Sequence, residues 1–188
     1  GGSWMEGAGA VYAENEVLSW LANEAGLPET AGGVFVQGGT LGNLSALVAA
    51  RHAATKQRTD SGLAQPAKWK FICSAEAHSS LKSAAAVMDV EIIKAPVDAN
   101  GHLRGESVAT ALSQAGDGVF AIVATAGTTN FGIVDKLDEI AKVANENKIW
   151  FHVDGAYGLA GILSSESRNL FAGVENADSF IVDPHKWL

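Results

Sequence analysis

An α/β fold, built as a mostly parallel sheet flanked by helices, is predicted by three features of the sequence. Strand-like and helix-like stretches alternate at short intervals from about residue 69 onwards. The strand-like stretches, such as GVFAIVATAG (118–127), are apolar throughout rather than alternating, which is the pattern of strands buried on both faces. Glycine and polar residues follow the strand ends, the edge at which open α/β sheets bind ligands.

The elements follow in order. Residues 14–26 place Val17, Leu18, Leu21 and Ala25 at helical spacing, and Gly26 with Pro28 supplies the stop. GGVFVQGGT (32–40) is a short apolar run between glycines, a buried strand or a tight turn. Leu41 to Thr55, rich in Ala and Leu, predicts a helix that starts just after Gly38-Gly39-Thr40. QRTDSGLAQPAK (57–68) is a polar loop, too short for a domain boundary. WKFICSA (69–75) predicts a strand, SSLKSAAAVM (79–88) a helix and VEIIKAPV (90–97) a strand. DANGHLRG is a loop, and ESVATALSQAG (106–116) is a helix ended by Gly116. DKLDEIAKVANENK (135–148) is amphipathic, with Leu137, Ile140, Ala141 and Ala144 on one face. IWFHVDGA (149–156) and ADSFIVD (177–183) are the last two strands. No internal repeat or low-complexity segment interrupts them.

Composition narrows the function classes. Of 188 residues, 47% are hydrophobic and 18% charged, which is globular composition rather than disorder. The formal net charge is −8 with scattered Lys and Arg, so there is no basic footprint for nucleic acid. The longest apolar stretches are too short to span a bilayer, and no membrane partner is expected. Cys73 is the only cysteine, which excludes an intrachain disulfide and fits a reducing, cytoplasmic location. The five tryptophans read as core packing.

Five strand ends carry groups with chemistry to offer. Gly38-Gly39-Thr40 reads first as a capped turn, since Thr is a common N-cap; equally, free N–H groups at a helix start can hold an anion such as a phosphate. His78, with Ser79 and Ser80, reads as a structural histidine, or as a ring that stacks on a planar ligand. Thr125 opens the run Thr125-Ala126-Gly127-Thr128-Thr129. Asp154 ends an apolar strand, where an unpaired carboxylate is costly; a helix cap, a local salt bridge or a cationic ligand nitrogen would each account for it. His152, two residues earlier, forms a His-x-Asp pair, but no third ligand stands at suitable spacing, so no metal site is expected. Lys186 and His185 follow the last strand. A lysine is ordinarily a surface residue, but one held in an apolar site has a lowered pKa, and its neutral amine forms a Schiff base with an aldehyde.

Taken together, GGTLGNLSAL, AHSSLKSA, ATAGTTNFGIVD, WFHVDGAYG and ADSFIVDPHKW resemble the pyridoxal-phosphate-dependent group II amino-acid decarboxylases, in the family's order. The most specific signal is HVDGAY followed about thirty residues later by DPHKW. The resemblance implies the large domain of a fold-type I pyridoxal-phosphate enzyme, acting on a small-molecule amino acid and working as a homodimer when full length. It implies that Lys186 carries the cofactor covalently, that Asp154 faces the pyridine nitrogen, and that His78 stacks on the ring. Thr125 matches a threonine near the cofactor's hydroxyl, and Ala156 a small residue on the opposite ring face. Gly39, Thr40 and His185 match phosphate-contacting positions. The catalytic residues implied are therefore Lys186, His78 and Asp154. Glu14 is given no role.

The sequence departs from the family pattern at three points. Asp183 stands where Asn is frequent, and a carboxylate there would repel a phosphate. Gly155 stands where Ala is common, which loosens packing slightly. Family members are also much longer. Residues 1–188 therefore read as part of a cofactor-binding large domain, with an amino-terminal segment and a carboxyl-terminal small domain missing. Two other functions share these signatures: a related carbon–carbon lyase resembling sphingosine-phosphate lyases, and a non-catalytic homologue that only binds. Residues 1–188 alone are expected not to be an active decarboxylase. Purified and supplied with pyridoxal phosphate and a panel of amino acids, this span should release no sustained carbon dioxide.

Overall fold

The computed structural model describes residues 4–187. Its element order is α1 (Trp4–Glu24), α2 (Gly39–Asp60), β1 (Lys70–Ser74), α3 (Ser79–Met88), β2 (Glu91–Ala95), α4 (Gly105–Ala115), β3 (Val119–Thr125), α5 (Leu137–Glu146), β4 (Trp150–Asp154), β5 (Ser179–Ile181) and α6 (Pro184–Trp187). Three 3₁₀ turns, at Leu159–Leu163, Arg168–Phe171 and Val174–Asn176, connect β4 to β5. The five strands form one sheet in the order β2-β1-β3-β4-β5, and every pairing is parallel. The expected α/β class is therefore observed.

The unbroken apolar strands are explained by two separate cores. Side chains alternate between sheet faces along a strand. Phe71, Cys73, Ala121 and Val123 pack with Leu47 and Ala50 of α2 and with Leu81 and Ala84 of α3. Ile72, Ile122, Ala124 and Val153 pack on the other face with Val108 of α4 and with Leu137, Ile140 and Ala144 of α5. The stripe read from the α5 sequence is the stripe that is buried.

The sheet order also positions the site. After β1 the chain moves outward to β2, then returns to place β3 on the other side of β1. Beyond the carboxyl ends of β1 and β3 the connections diverge, leaving the crevice in which this class of sheet binds ligands.

Several expectations are corrected. Residues 31–36 form no regular element and pair with no described strand, and Val34 and Phe35 are exposed rather than buried. The Phe35 N–H is instead accepted by Glu14 Oε1 at 2.7 Å, which ties this segment to α1. Helix α2 runs on to Asp60, so the loop expected from residue 57 starts later. Helix α1 begins at Trp4, ahead of the predicted residue 14, is kinked by non-helical backbone at Gly7, and buries only Leu21 among its residues. Most of its apolar side chains therefore face outward, and Trp4 and Trp20 are exposed, as is Trp187. Trp69 and Trp150 pack at the margin of a core, so the tryptophans are not its centre. Among the described residues no helix is long and apolar enough to cross a membrane.

The return from the 3₁₀ turns to the sheet depends on Gly173. Its φ is +103°, and a Cβ there would stand 2.3 Å from the Asp138 backbone nitrogen at the start of α5. Neither the left-handed backbone nor the contact tolerates a side chain. Gly173→Ala should destabilise the full-length protein by about 2 kcal/mol or more, read as a lowered thermal midpoint. A wild-type midpoint would show that this turn can shift without cost.

Candidate cofactor site

One cavity lies over the carboxyl edge of the sheet. It has a volume of about 90 Å³ and is lined from the α2 start by Gly39, Thr40 and Asn43, and from the β1–α3 connection by Glu76, His78 and Ser80. Thr125, Gly127, Thr128 and Thr129 line it beyond β3; Asp154, Ala156 and Tyr157 beyond β4; and Asp183 and Lys186 beyond β5. The edge strand β2 contributes nothing to it. Four strand ends and the start of α2 thus converge, rather than five consecutive strand ends. Of the residues singled out in the sequence, Gly39, Thr40, His78, Thr125, Asp154, Ala156 and Lys186 meet here. His185 does not line the cavity and is exposed.

The α2 start is built for close approach. The N-cap is Gly38, at φ +84°, and no side chain caps the helix. Thr40 lies inside the helix, so the capped-turn alternative fails. The N–H groups of Gly39 and Thr40 are left with no side-chain partner, and the positive end of the helix points into the cavity. A Cβ at Gly39 would stand 3.1 Å from Ala156 Cβ and 3.2 Å from Asp183 Oδ2.

Asp154 is buried at the end of β4, 4% exposed. Its Oδ2 accepts a hydrogen bond from Asn43 Nδ2 at 2.9 Å, and its Oδ1 a longer one from the Ala156 N–H at 3.3 Å. Among the described residues no basic side chain pairs with it, and it caps no helix. The two bland explanations are therefore absent, and a cationic group would be stabilised beside it. Gly155 is held against its surroundings: a Cβ there would come within 2.3 Å of Leu159 Cβ and 2.8 Å of the Ile181 carbonyl, so packing is tight rather than loosened.

His78 is the N-cap of α3, and its Nδ1 accepts from the Ser80 N–H at 3.2 Å. That bond turns the imidazole over the cavity and leaves the ring accessible. Thr125 is positioned from behind by Asp135, whose Oδ2 accepts the Thr125 N–H at 2.7 Å while its Oδ1 accepts the Leu103 N–H at 2.8 Å. Burial pushes the Asp135 carboxyl up to about 6 despite those two donors.

Lys186 departs from expectation. It is not held in an apolar site: its Nζ pairs with Asp183 Oδ2 at 2.9 Å, and its side chain is about one third exposed. Helix α6, which carries it, is clasped by an edge-to-face contact between Tyr157 and Trp187.

Sequence reasoning did not find Asn43 or the Asp183–Lys186 pair. The signal for Asn43 was present: it occupies the buried stripe of α2 with Leu47 and Ala50, where a polar residue must have a reason. His152, considered as a metal ligand, has both ring nitrogens engaged, Nε2 with Asn43 Oδ1 and Nδ1 with Ser179 Oγ, each at 2.9 Å.

Comparisons with known proteins agree with this geometry. The family described as "Pyridoxal-dependent decarboxylase conserved domain" matches residues 3–188. An aromatic-L-amino-acid decarboxylase of Bacillus atrophaeus is 35% identical over 193 residues, covering 99% of this chain and 38% of the relative. An L-2,4-diaminobutyrate decarboxylase of Rhizobium meliloti is 37% identical over 192 residues, covering 99% of this chain and 37% of the relative. The crystal structure of Oryza sativa TDC with PLP superposes with a TM-score of 0.88 at 29% identity, covering 98% of this chain and 43% of that one. The chain thus spans about two fifths of the length of the relatives it matches.

The buried imidazole has a measurable consequence. Burial pushes His152 from its usual 6.5 down to about 4, although the Asp154 carboxylate and a Ser179 contact pull the other way. The unfolded chain takes up this proton as pH falls below about 6.5, and the folded chain does not until about 4. Its contribution to stability is therefore present above about 6.5 and lost as pH falls through about 4. Asp135 works in the opposite sense, losing its contribution as pH rises through about 6. The difference between proteins isolates His152: between neutral pH and pH ~4.5 the His152→Gln variant should lose less thermal stability than wild type. Parallel melting curves would mean that His152 is protonated within the fold.

Proposed function

This chain belongs to the pyridoxal-dependent decarboxylase family, whose cofactor is pyridoxal phosphate, and from that premise we propose that the full-length protein removes the carboxylate of an L-amino acid as carbon dioxide, leaving the amine. One observation carries this reading. A buried carboxylate without a cationic partner, an uncapped helix start and an amine open onto the same cavity.

The residues fit the cofactor. Gly39 and Thr40 would hold the phosphate with backbone N–H groups, and the missing Cβ of Gly39 lets the helix start lie close to Ala156 and Asp183. Asp183 stands at the edge of this cradle and pairs with Lys186. Asp154 would keep the pyridine nitrogen protonated by opposing its charge. His78 would stack on one ring face and Ala156 pack on the other, with Thr125 at the hydroxyl side. The Lys186 amine would hold the cofactor through its aldehyde carbon. Pyridoxal phosphate, when bound, supplies the electron sink for the pair left on the α-carbon as carbon dioxide departs. The chain's part is to hold the ring nitrogen charged and the ring plane fixed.

The substrate is read as a small L-amino acid. We also read the protein as a cytoplasmic homodimer, cut here to part of its large domain; the exposed apolar side chains along α1 support a further surface covering that helix.

The test uses the full-length protein. Supplied with pyridoxal phosphate, it should release carbon dioxide from one member of a panel that includes aromatic L-amino acids and L-2,4-diaminobutyrate. Borohydride reduction followed by peptide mapping should place the pyridoxyl group on Lys186. Labelling of a different lysine would overturn the anchor assignment, and the absence of both cofactor binding and carbon dioxide release would overturn the function.

A further inference from the structure

We infer that Asn43 is a positioning residue whose single carboxamide sets both the Asp154 carboxylate and the His78 ring, the two groups proposed to address the cofactor's nitrogen and its face. This rests on the reading that the cavity holds pyridoxal phosphate.

Asn43 is 1% exposed, one turn into α2. An ionised carboxylate only accepts, so the amide must turn Nδ2 toward Asp154, at 2.9 Å. The second hydrogen on Nδ2 reaches Ser80 Oγ, also at 2.9 Å. Oδ1 then remains as an acceptor, and it lies 2.9 Å from His152 Nε2, which must carry the ring proton.

The rest of the network is set by the neutral state of His152. Kept neutral by burial and carrying its proton on Nε2, the imidazole accepts at Nδ1 from the Ser179 hydroxyl at 2.9 Å, with the Ser179 carbonyl oxygen farther off at 3.2 Å. Ser179 Oγ in turn accepts from Trp150 Nε1 at 2.8 Å. On the other branch, Ser80 Oγ already accepts from Asn43, so its own hydrogen goes to His78 Nδ1 at 2.9 Å. Both polar atoms of the Asn43 side chain are used, and a flip of the amide would place an oxygen against a carboxylate. Reversing it is therefore costly.

The consequence is a mechanical link between groups on different strands. Asp154 ends β4, and His78 follows β1, with β3 between them. No hydrogen bond joins Asp154 directly to His78 or Ser80; Asn43 is their shared partner. With Oδ2 held by the amide, Asp154 keeps Oδ1, which among the described residues accepts just the long bond from Ala156, for a cation in the cavity. A purely architectural asparagine would stabilise the fold. A positioning one also sets how strongly the carboxylate opposes a ring charge.

The test compares full-length wild type with Asn43→Asp, Asn43→Ala and Ser80→Ala, each loaded with pyridoxal phosphate. Asn43→Asp preserves size but removes both donors and sets a second carboxylate against Asp154. Both Asn43 variants should lower kcat by roughly tenfold or more, with KM changed less than about threefold. The pH midpoint of the bound cofactor's visible absorbance should move by about one unit. Ser80→Ala breaks only the His78 branch, so it should weaken the cofactor's visible circular dichroism and leave that midpoint in place. Wild-type kcat and midpoint in the Asn43 variants, even with a lowered thermal midpoint, would overturn the inference. Should neither Asn43 variant fold, unchanged circular dichroism in Ser80→Ala would overturn it. Wild-type protein that binds no pyridoxal phosphate would instead sink the proposed function, so the two failures are distinguishable.

Discussion

A carboxylate buried at the end of a central strand is the constraint from which the rest of the site follows. Asp154 sits where apolar β4 leaves the sheet, and removing an ionised group from water costs several kcal/mol unless partners replace the water. The described residues offer it hydrogen-bond donors but no basic side chain. An amide and a backbone N–H hold the charge in place without cancelling it. Nothing among the described residues neutralises that charge.

Holding Asp154 determines how α2 must lie. Asn43 reaches it only because the helix comes close to β5, and Gly42 permits that approach: a Cβ there would stand 2.9 Å from Ile181 Cγ2. The same close packing carries the uncapped start of α2 to the cavity, beside Ala156 and Asp183. The uncapped helix start and the buried carboxylate are thus set by one helix against one pair of strands. The parallel sheet makes this economical in parts, because all its carboxyl ends face the same way and the switch between β1 and β3 opens the crevice there. The opposite core, on α4 and α5, makes no contribution to the cavity beyond Asp135, which pins the end of β3 and so Thr125.

Lys186 is held by a charged pair rather than by an apolar pocket. Its ammonium rests on Asp183 within one turn of α6, and the Tyr157–Trp187 contact holds that turn to the residues after β4. The departure from Asn at position 183 thus gives the lysine an ionic partner at the edge of the cavity. The exposed face of α1 and the unpaired segment at residues 31–36 carry apolar side chains outward, in keeping with a chain that covers about two fifths of the length of its relatives.

The fold class was legible because it depends on local pattern. Apolar strands without alternation, glycine stops after helices and the stripe Leu137, Ile140, Ala141 and Ala144 each report burial residue by residue, and each was found where expected. The motif strings identified the family because they preserve residue types at fixed spacing. Three features were not legible, all for the same reason. That residues 31–36 stay unpaired depends on which strands lie beside them. The setting of Lys186 depends on Asp183 turning back on it through a short helix. Asn43 is joined to Ser80, 37 residues away, to His152, 109 away, and to Asp154, 111 away. The sequence by itself determined the layers, the family and most of the residues at the cavity. Only the tertiary structure decided which of them touch, because hydrogen-bond partners far apart in the chain are chosen by how α2 packs on the sheet, and no local pattern encodes that.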